Sequence, residues 1–189
     1  MMAKQINFGK ILANFLVCLA LILSVSNCSK ADAPIERTDY EIAPPVYAAL
    51  AEKSLDLLTS FQFDSWSSML SDSIIYYFPD GDKNTRTKLE GKTALLAWWK
   101  NYKNTSGLES MTIEEANYLP IEVRLMPRNN FKRGVIVYSY FSNKMIFQRE
   151  TVALQMNFVF HFDKEKMIDQ IMTFYDTSPI IKVSGKKFL

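Results

Sequence analysis

The stretch DSWSSMLSDSIIYYFPDGDKNTRTKLEGKTALLAWW, residues 64–99, decides the fold. It begins at the end of a short helix and continues into a run of β-branched and aromatic residues that stops at Pro79. Such a run is typical of a strand, and the Asp-Gly-Asp that follows it is typical of a turn. After a second short strand, Gly91 precedes a segment with apolar residues at helical spacing. The predicted order is therefore helix, strand, turn, strand, helix.

The elements around this stretch predict helices first and strands afterwards. Two prolines precede a first helix, predicted from Val46 to about Gln62, and its apolar residues fall near one face. Four strand-like runs follow the third helix with short polar connections: Met111–Arg124, Phe131–Ile146, Thr151–Asp163 and Met167–Ile181. Helices followed by a four-stranded antiparallel meander predict an α+β fold.

Three positions in the stretch carry a family resemblance. Asp72 before the strand, Pro79 after it and Gly91 before the next helix resemble the nuclear transport factor 2-like superfamily, which includes ketosteroid isomerases and SnoaL-like polyketide cyclases. The resemblance implies a cone-shaped, strongly curved antiparallel sheet, with three helices of the N-terminal half packed on its concave face. It implies a single domain over residues 46–189.

The first 27 residues are typical of an export signal. Lys4 and Lys10 supply positive charge, and the apolar run from Ile11 to Val25 is shorter than the roughly 20 residues that a membrane span needs. The sequence Val-Ser-Asn-Cys that ends at Cys28 resembles a bacterial lipobox. We expect cleavage, lipidation of Cys28 and anchoring at the cell envelope, periplasmic or in the outer membrane. Ordinary cleavage nearby and an uncleaved anchor are the alternatives.

Composition narrows the function classes for the rest of the chain. Residues 1–27 contain two of the 22 basic residues and none of the 20 acidic ones, so residues 28–189 carry 20 of each and no net charge. A neutral chain gives no support for nucleic-acid binding. The two cysteines are Cys18, inside the leader, and Cys28, so the folded part has no thiol chemistry. Residues 28–45, polar and rich in proline, are expected to form a tether.

The resemblance to ketosteroid isomerases can be tested position by position. Aligned on the proline, it places Phe78 at the isomerase's general base and Ser54 at its oxyanion-binding tyrosine. In the meander, alignment on Phe160-His161-Phe162 places Phe158 at its protonated aspartate. Proton abstraction beside a carbonyl needs a base and strong hydrogen-bond donors, which phenylalanine cannot supply. The isomerase reaction is therefore not expected, and no cofactor or metal site is predicted.

Strand alternation predicts an apolar, aromatic pocket inside the cone. A hydrophobic chamber with a few polar groups is typical of a small-molecule site, although aromatic residues can also simply fill a core. The expected lining residues are Ser54, Leu58, Tyr76, Phe78, Trp98, Tyr138, Tyr140, Met156, Phe158, Gln170, Met172 and Phe174.

Asp176 is the candidate catalytic residue, because SnoaL-like chains often carry an acidic residue after an aromatic one in the last strand. Buried beside apolar groups, its carboxyl would have a raised pKa and could act as an acid or base. The alternative is that Asp176 caps the end of the strand. His161 has the opposite strand parity and is expected on the outer face of the sheet.

Three functions remain open on the sequence alone. The first is an envelope-anchored module that binds a small apolar or aromatic molecule without catalysis. The second is a SnoaL-like enzyme (isomerase, cyclase or hydrolase type) that uses Asp176, with Tyr138 or Tyr140 orienting the substrate. The third is a dimeric scaffold, because several strands are apolar on both faces and a homodimer through the outer sheet face would cover them.

The leader generates the first testable prediction. Lipidation at the proposed lipobox requires the thiol of Cys28, so Cys28→Ala should abolish incorporation of a labelled fatty acid and release the protein from the membrane fraction. Cys18→Ala, within the apolar run, is the matched control and should still be labelled. Labelling that persists in Cys28→Ala would contradict the acylation site.

Overall fold

A seven-stranded mixed sheet organises the computed structural model, which describes residues 39–82, 84–124, 132–148 and 150–185. The strands lie in the order β1-β4-β5-β6-β7-β2-β3. Their bounds are β1 Tyr40–Ile42, β2 Leu70–Tyr77, β3 Lys88–Glu90, β4 Leu108–Val123, β5 Gly134–Phe147, β6 Thr151–Phe162 and β7 Ile168–Phe174. The predicted signal peptide, Cys28 and most of the tether lie outside the described residues, whereas residues 40–42, expected in the tether, pair with β4.

Four described helices accompany the sheet: α1 Val46–Thr59, α2 Phe63–Ser67, α3 Lys92–Thr105 and α4 Ser178–Ser184. The first three were predicted, but α1 ends three residues early because Phe61 adopts a φ of 57°, which a helix cannot contain. The fourth falls where the sequence predicted a strand, and Pro179 lies in its first turn. Among the described residues, no helix combines the length and the apolarity that crossing a membrane requires.

The α+β class and the curved sheet with helices on one face are confirmed. One detail of the sheet differs from the expectation: β2 pairs with β7 in parallel, whereas the other described pairs are antiparallel. Gly91 begins α3 with a φ of 89°, a conformation that favours glycine, and its N–H donates to the carbonyl of Ile74 at 2.8 Å. This glycine therefore turns the chain from the β2–β3 hairpin back over the sheet.

The main core lies between the helices and the concave face of the sheet. The helices supply buried residues such as Leu55, Trp66 and Leu95, and β6 supplies alternate positions from Val152 to Phe162. The indole Nε1–H of Trp66 donates to the hydroxyl of Ser54 at 2.9 Å, inside this core. That hydrogen bond links α1 to α2 and satisfies two polar groups that would be costly to bury alone.

The strand parity expected for β7 is wrong because the strand carries a bulge. Phe162 pairs with Ile168 but His161 pairs with Gln170, so Asp169 is an extra residue between them. Ile168 and Ile171 therefore both face the main core, although they are three residues apart. A bulge of this kind reverses every side chain that follows it, and alternation alone could not locate it.

A second, smaller core lies on the outer face of the sheet. Ile136, Val159 and Met172 are buried there and pack against half-buried Tyr77 and Tyr138. Exposed apolar side chains surround them on the same face of the sheet, as the strand pairing shows. We call this set of side chains the outer apolar face: Tyr40, Ile42, Leu119, Tyr140 and Phe174. The sheet is therefore apolar on both faces, as the sequence predicted.

The buried histidine also lies on the outer side, as the sequence predicted. His161 is 5% exposed; its Nδ1 is hydrogen-bonded to a carboxylate oxygen of Asp169, and its Nε2 lies 3.0 Å from the carbonyl oxygen of Arg133. The ammonium group of Lys132 donates to the other carboxylate oxygen of Asp169 at 2.6 Å. These contacts tie the bulge in β7 to the start of β5.

The charges around Asp169 make fold stability depend on pH. Burial raises the pKa of its carboxyl, but the hydrogen bonds and charges of His161 and Lys132 outweigh burial and lower that pKa overall. Because the folded pKa lies below the unfolded one, the stabilisation is present above about pH 4 and is lost as pH falls through the folded pKa.

We therefore expect Asp169→Asn to flatten the acid limb of the stability profile. Chemical denaturation between about pH 5 and pH 2 should show a smaller drop in unfolding free energy for this variant than for the wild type. Glu114→Gln, at an exposed position in β4, is the control and should keep the wild-type slope. Equal slopes in all three proteins would contradict the role given to Asp169.

Candidate ligand-binding site

An apolar cavity of about 30 Å³ lies in the main core of the cone. The concave face of the sheet forms one wall, and α1, α3 and α4 form the other. Its lining residues are Leu55, Leu58, Thr59, Trp99, Tyr102, Leu108, Met111, Phe141, Asn143, Met145, Met156, Phe158, Tyr175 and Ile180.

The cavity is small because aromatic side chains occupy most of the cone. Trp98 and Tyr102 stack at 5.1 Å between ring centroids, and Phe158 contacts both Phe141 and Tyr175. A volume of this size has room for a water molecule, whereas a benzene ring needs about 150 Å³. Three lining residues are methionines, whose unbranched side chains change rotamer readily, so the cavity has adaptable walls.

The lining contains little that could perform acid–base chemistry. Among the described residues that line the cavity there is no carboxylate, imidazole or amine, and its polar members are Thr59, Tyr102, Asn143, Tyr175 and the indole of Trp99. Burial raises the pKa of Tyr102 to about 12, and it raises that of Tyr175 further above the ordinary value. Phenols with such pKa values stay protonated at neutral pH, where they can donate hydrogen bonds but are poor bases.

Two polar atoms of the lining are buried without a hydrogen-bond partner among the described residues. These are the donor Nε1 of Trp99 and the acceptor Oδ1 of Asn143. The two residues are only 6% and 5% exposed, and the amide nitrogen of Asn143 has a weak acceptor, the sulfur of Met156 at 3.7 Å. Leaving such atoms unsatisfied costs about 1–3 kcal/mol each, so their presence among the lining residues of one cavity is chemically informative.

The three positions that the sequence resemblance aligns with the isomerase site hold side chains with structural roles. Ser54 is fully buried and its hydroxyl already accepts the hydrogen bond of Trp66. Phe78 packs edge-on against Tyr76 at 5.1 Å and against Trp98 at 4.9 Å. Phe158 lines the cavity. None of the three can remove a proton from carbon, so the structure offers no base at these positions.

Some of the predicted pocket residues lie together and others do not. Leu58, Met156 and Phe158 line the cavity, and Tyr76 and Phe78 are buried in the surrounding core. Trp98 is half-buried and packs over Phe78, while its neighbour Trp99 takes the inward position that was expected of Trp98.

The other predicted lining residues are on the outer face of the sheet, and for these the expected orientation is wrong. Tyr138 and Met172 belong to the second core, and Gln170 is buried on the same side. Tyr140 is 50% exposed, and Phe174 is 43% exposed with the guanidinium of Arg86 4.2 Å from its ring centroid. The reason is that β5 carries apolar residues on both of its faces and that β7 contains the bulge. The positions of the aromatic residues therefore did not show which side chains face the cavity.

Asp176 lies at the surface rather than in the cavity. Its side chain accepts a hydrogen bond from the backbone N–H of Ser178 at 2.9 Å, beside the start of α4. This backbone hydrogen bond and a contact with the Ser178 side chain lower the pKa of Asp176, opposite to the expected shift. The alternative weighed from the sequence, a capping role at the end of the strand, matches this placement.

The sequence-based prediction omitted several residues that line the cavity, and two patterns in the sequence could have identified some of them. Leu95, Trp99 and Tyr102 are spaced by four and three residues, which is the inward stripe that α3 uses. Phe141 and Met145 keep the same parity as Val137, which would have marked the core side of β5. Ile180 had no such signal, since α4 was expected to be strand.

Comparisons with known proteins establish the fold class. No family model matches the chain, and no curated protein is similar to it in sequence. Solved structures do match. A protein from Silicibacter described as a "putative polyketide cyclase" is 10% identical with a TM-score of 0.56, covering 76% of this chain and 98% of that one.

Two further structures agree with this result. A "putative polyketide cyclase" from Xanthomonas campestris has a TM-score of 0.55 at 10% identity, over 73% of this chain and 96% of that one. An LEH-like epoxide hydrolase from M. tuberculosis has a TM-score of 0.51 at 17% identity, over 72% and 86%. The chain therefore has the cone fold of nuclear transport factor 2-like proteins, as its sequence predicted. Identities this low establish the fold and no activity.

Proposed function

We propose that the cone binds a small, neutral, largely apolar molecule that carries a hydrogen-bonding group, and that it does so without catalysis. The observation that carries this proposal is the pair of unpartnered buried atoms in the cavity wall. A ligand hydroxyl has the chemistry to accept from Nε1 of Trp99 or to donate to Oδ1 of Asn143. An apolar body would contact the leucine, methionine and phenylalanine side chains around it.

The absence of acid–base groups from the described lining favours binding over turnover. The enzyme hypothesis assigned its chemistry to Asp176, Tyr138 and Tyr140, and none of these contributes to the cavity. A ligand larger than water requires the methionine side chains to turn aside, and this adaptability suits small apolar ligands of variable shape. We further propose that Cys28 carries the lipid that anchors this module at the cell envelope, which rests on the lipobox alone.

Ligand binding is tested by the response of the purified protein to cyclohexanol and cyclohexane. A ligand at ten times its dissociation constant should stabilise the fold by about 1.4 kcal/mol. We expect cyclohexanol to bind more tightly than cyclohexane, so at equal concentrations the alcohol should raise the melting temperature more than the alkane does. Asn143→Leu removes the acceptor at similar volume. We expect this variant to lose the preference for the alcohol. Without ligand, its free energy of unfolding should be about 1 kcal/mol higher than that of the wild type, because no buried acceptor is left unsatisfied.

Ser139→Ala is the matched control for this experiment. Its hydroxyl is also buried on β5 without a hydrogen-bond partner among the described residues, but it does not line the cavity. This variant should keep the preference for cyclohexanol. If neither compound changes the melting temperature, even in Leu58→Ala with its enlarged cavity, the cone is a filled core and the proposal is wrong.

A second proposal, that the protein is a homodimer, rests on the outer apolar face. Ile42 is 72% exposed, Tyr40 60% and Leu119 52%, which is a large apolar area for a protein that stays monomeric. A second copy of the chain that presents the same face would bury these side chains symmetrically.

Tyr140→Glu should convert this dimer into a monomer, because it places a charge among the exposed side chains of the outer apolar face. Analytical ultracentrifugation at about micromolar concentration would measure the change. Lys144→Glu is the control, since Lys144 is exposed on the same side of β5 but beyond the apolar residues. A wild-type protein that sediments as a monomer would contradict the dimer.

A further inference from the structure

A polar cleft of about 230 Å³ lies where α3 ends. Its walls come from the turn between α3 and β4, the end of β5 and the last turn of α4. The lining residues are Thr105, Ser106, Gly107, Phe147, Gln148, Val183 and Ser184. This cleft is several times larger than the apolar cavity, and neither the sequence nor the comparisons assign it a role.

The cleft and the cavity are adjacent, because the same four parts of the chain line both. In each part, a residue that lines the cavity lies within four positions of a residue that lines the cleft. The pairs are Tyr102 and Ser106 at the end of α3, Leu108 and Gly107 at the start of β4, Met145 and Phe147 on β5, and Ile180 and Ser184 on α4. The partition between the two spaces is therefore formed by neighbouring residues of these four segments.

Tyr102 is the side chain that spans this partition. Its ring lines the cavity and stacks on Trp98. Burial raises the pKa of its hydroxyl to about 12, while hydrogen bonding with Ser184 and Ser106, both of which line the cleft, acts in the opposite direction. Tyr102 therefore connects the cavity lining to two serines of the cleft lining, although it does not itself line the cleft.

The lining of the cleft favours a neutral ligand group that donates hydrogen bonds. The described side chains that line it carry no charge, and it is formed at the C-terminal ends of α3 and α4, where helix carbonyls lack intrahelical partners. Those carbonyls carry partial negative charge, which disfavours carboxylate and phosphate. Lys103, the basic residue in the last turn of α3, already donates to the carbonyls of Leu108 and Glu109.

We propose that the polar cleft binds a second hydroxyl group of the ligand, so that the molecule extends from the apolar cavity past Tyr102 and Ile180 into the cleft. The ligand class is then a neutral amphiphile with a hydroxyl group at each end of an apolar segment. This inference rests on the proposed function, because it requires that the cavity bind the apolar segment. Ile180 is the buried residue of the seven-residue helix α4 and belongs to the main core.

The test compares 1-octanol with 1,8-octanediol, using the fluorescence of the tryptophans beside the cavity to measure binding to the purified protein. Ser184→Phe fills the cleft and should weaken the diol about tenfold while leaving 1-octanol unchanged, a loss typical of a hydrogen-bonded group that is excluded. Ser184→Ala keeps the space open and should weaken the diol by a smaller factor. Lys182→Phe, at an exposed position of the same helix, is the matched control and should bind both compounds as the wild type does.

The outcomes separate this inference from the proposed function. If 1-octanol binds and Ser184→Phe weakens both compounds equally or neither, the cavity binds ligand but the cleft has no part in it. If neither compound binds the wild type, the proposed function itself fails. 8-Hydroxyoctanoate should bind more weakly than the diol, and tighter binding of this carboxylate would contradict the neutral chemistry assigned to the cleft.

Discussion

The parallel pairing of β2 with β7 is the constraint on which the cone depends. It joins the helical first half of the chain to the meander of the second half, and it places Tyr76 and Phe78 opposite α3. The pairing is reinforced where the strands end. Arg86 donates from Nε to the carbonyl of Phe78 at 2.6 Å and from its terminal nitrogen to the carbonyl of Thr173, whose hydroxyl in turn donates to the carbonyl of Tyr77 at 2.9 Å. Held in this way, β2 and the edge strand β3 beside it close one side of the cone.

That closure explains the chemistry of the interior. With β2 fixed beside β7, the rings of α3 and the concave face fill most of the space and leave a small apolar cavity. The charged side chains with structural roles, such as Arg86 and the His161–Asp169 pair, bind carbonyls and each other outside this cavity. Among the described residues, the lining of this cavity therefore contains no charged side chain.

The sequence predicted the class, the first three helices and the central strands, because caps, turns and periodicity are local signals. The inward face of β5 and β7 could not be derived. Both parities of β5 are apolar, and the bulge at Asp169 depends on contacts with Lys132 and His161 that are distant in sequence. α4 was missed because its apolar residues, including Ile180, fit a strand equally well.

Native mass spectrometry of the protein purified from the cells that produce it tests the central claim most directly. The account predicts a complex that exceeds the mass of the chain by that of one small neutral molecule per cone, and that loses this molecule on denaturation. Replacing the acceptor in Asn143→Leu should release it, whereas Asp176→Asn should retain it. A wild-type protein with no bound mass, or a bound molecule that Asn143→Leu retains in full, would contradict a ligand site built on the cavity wall.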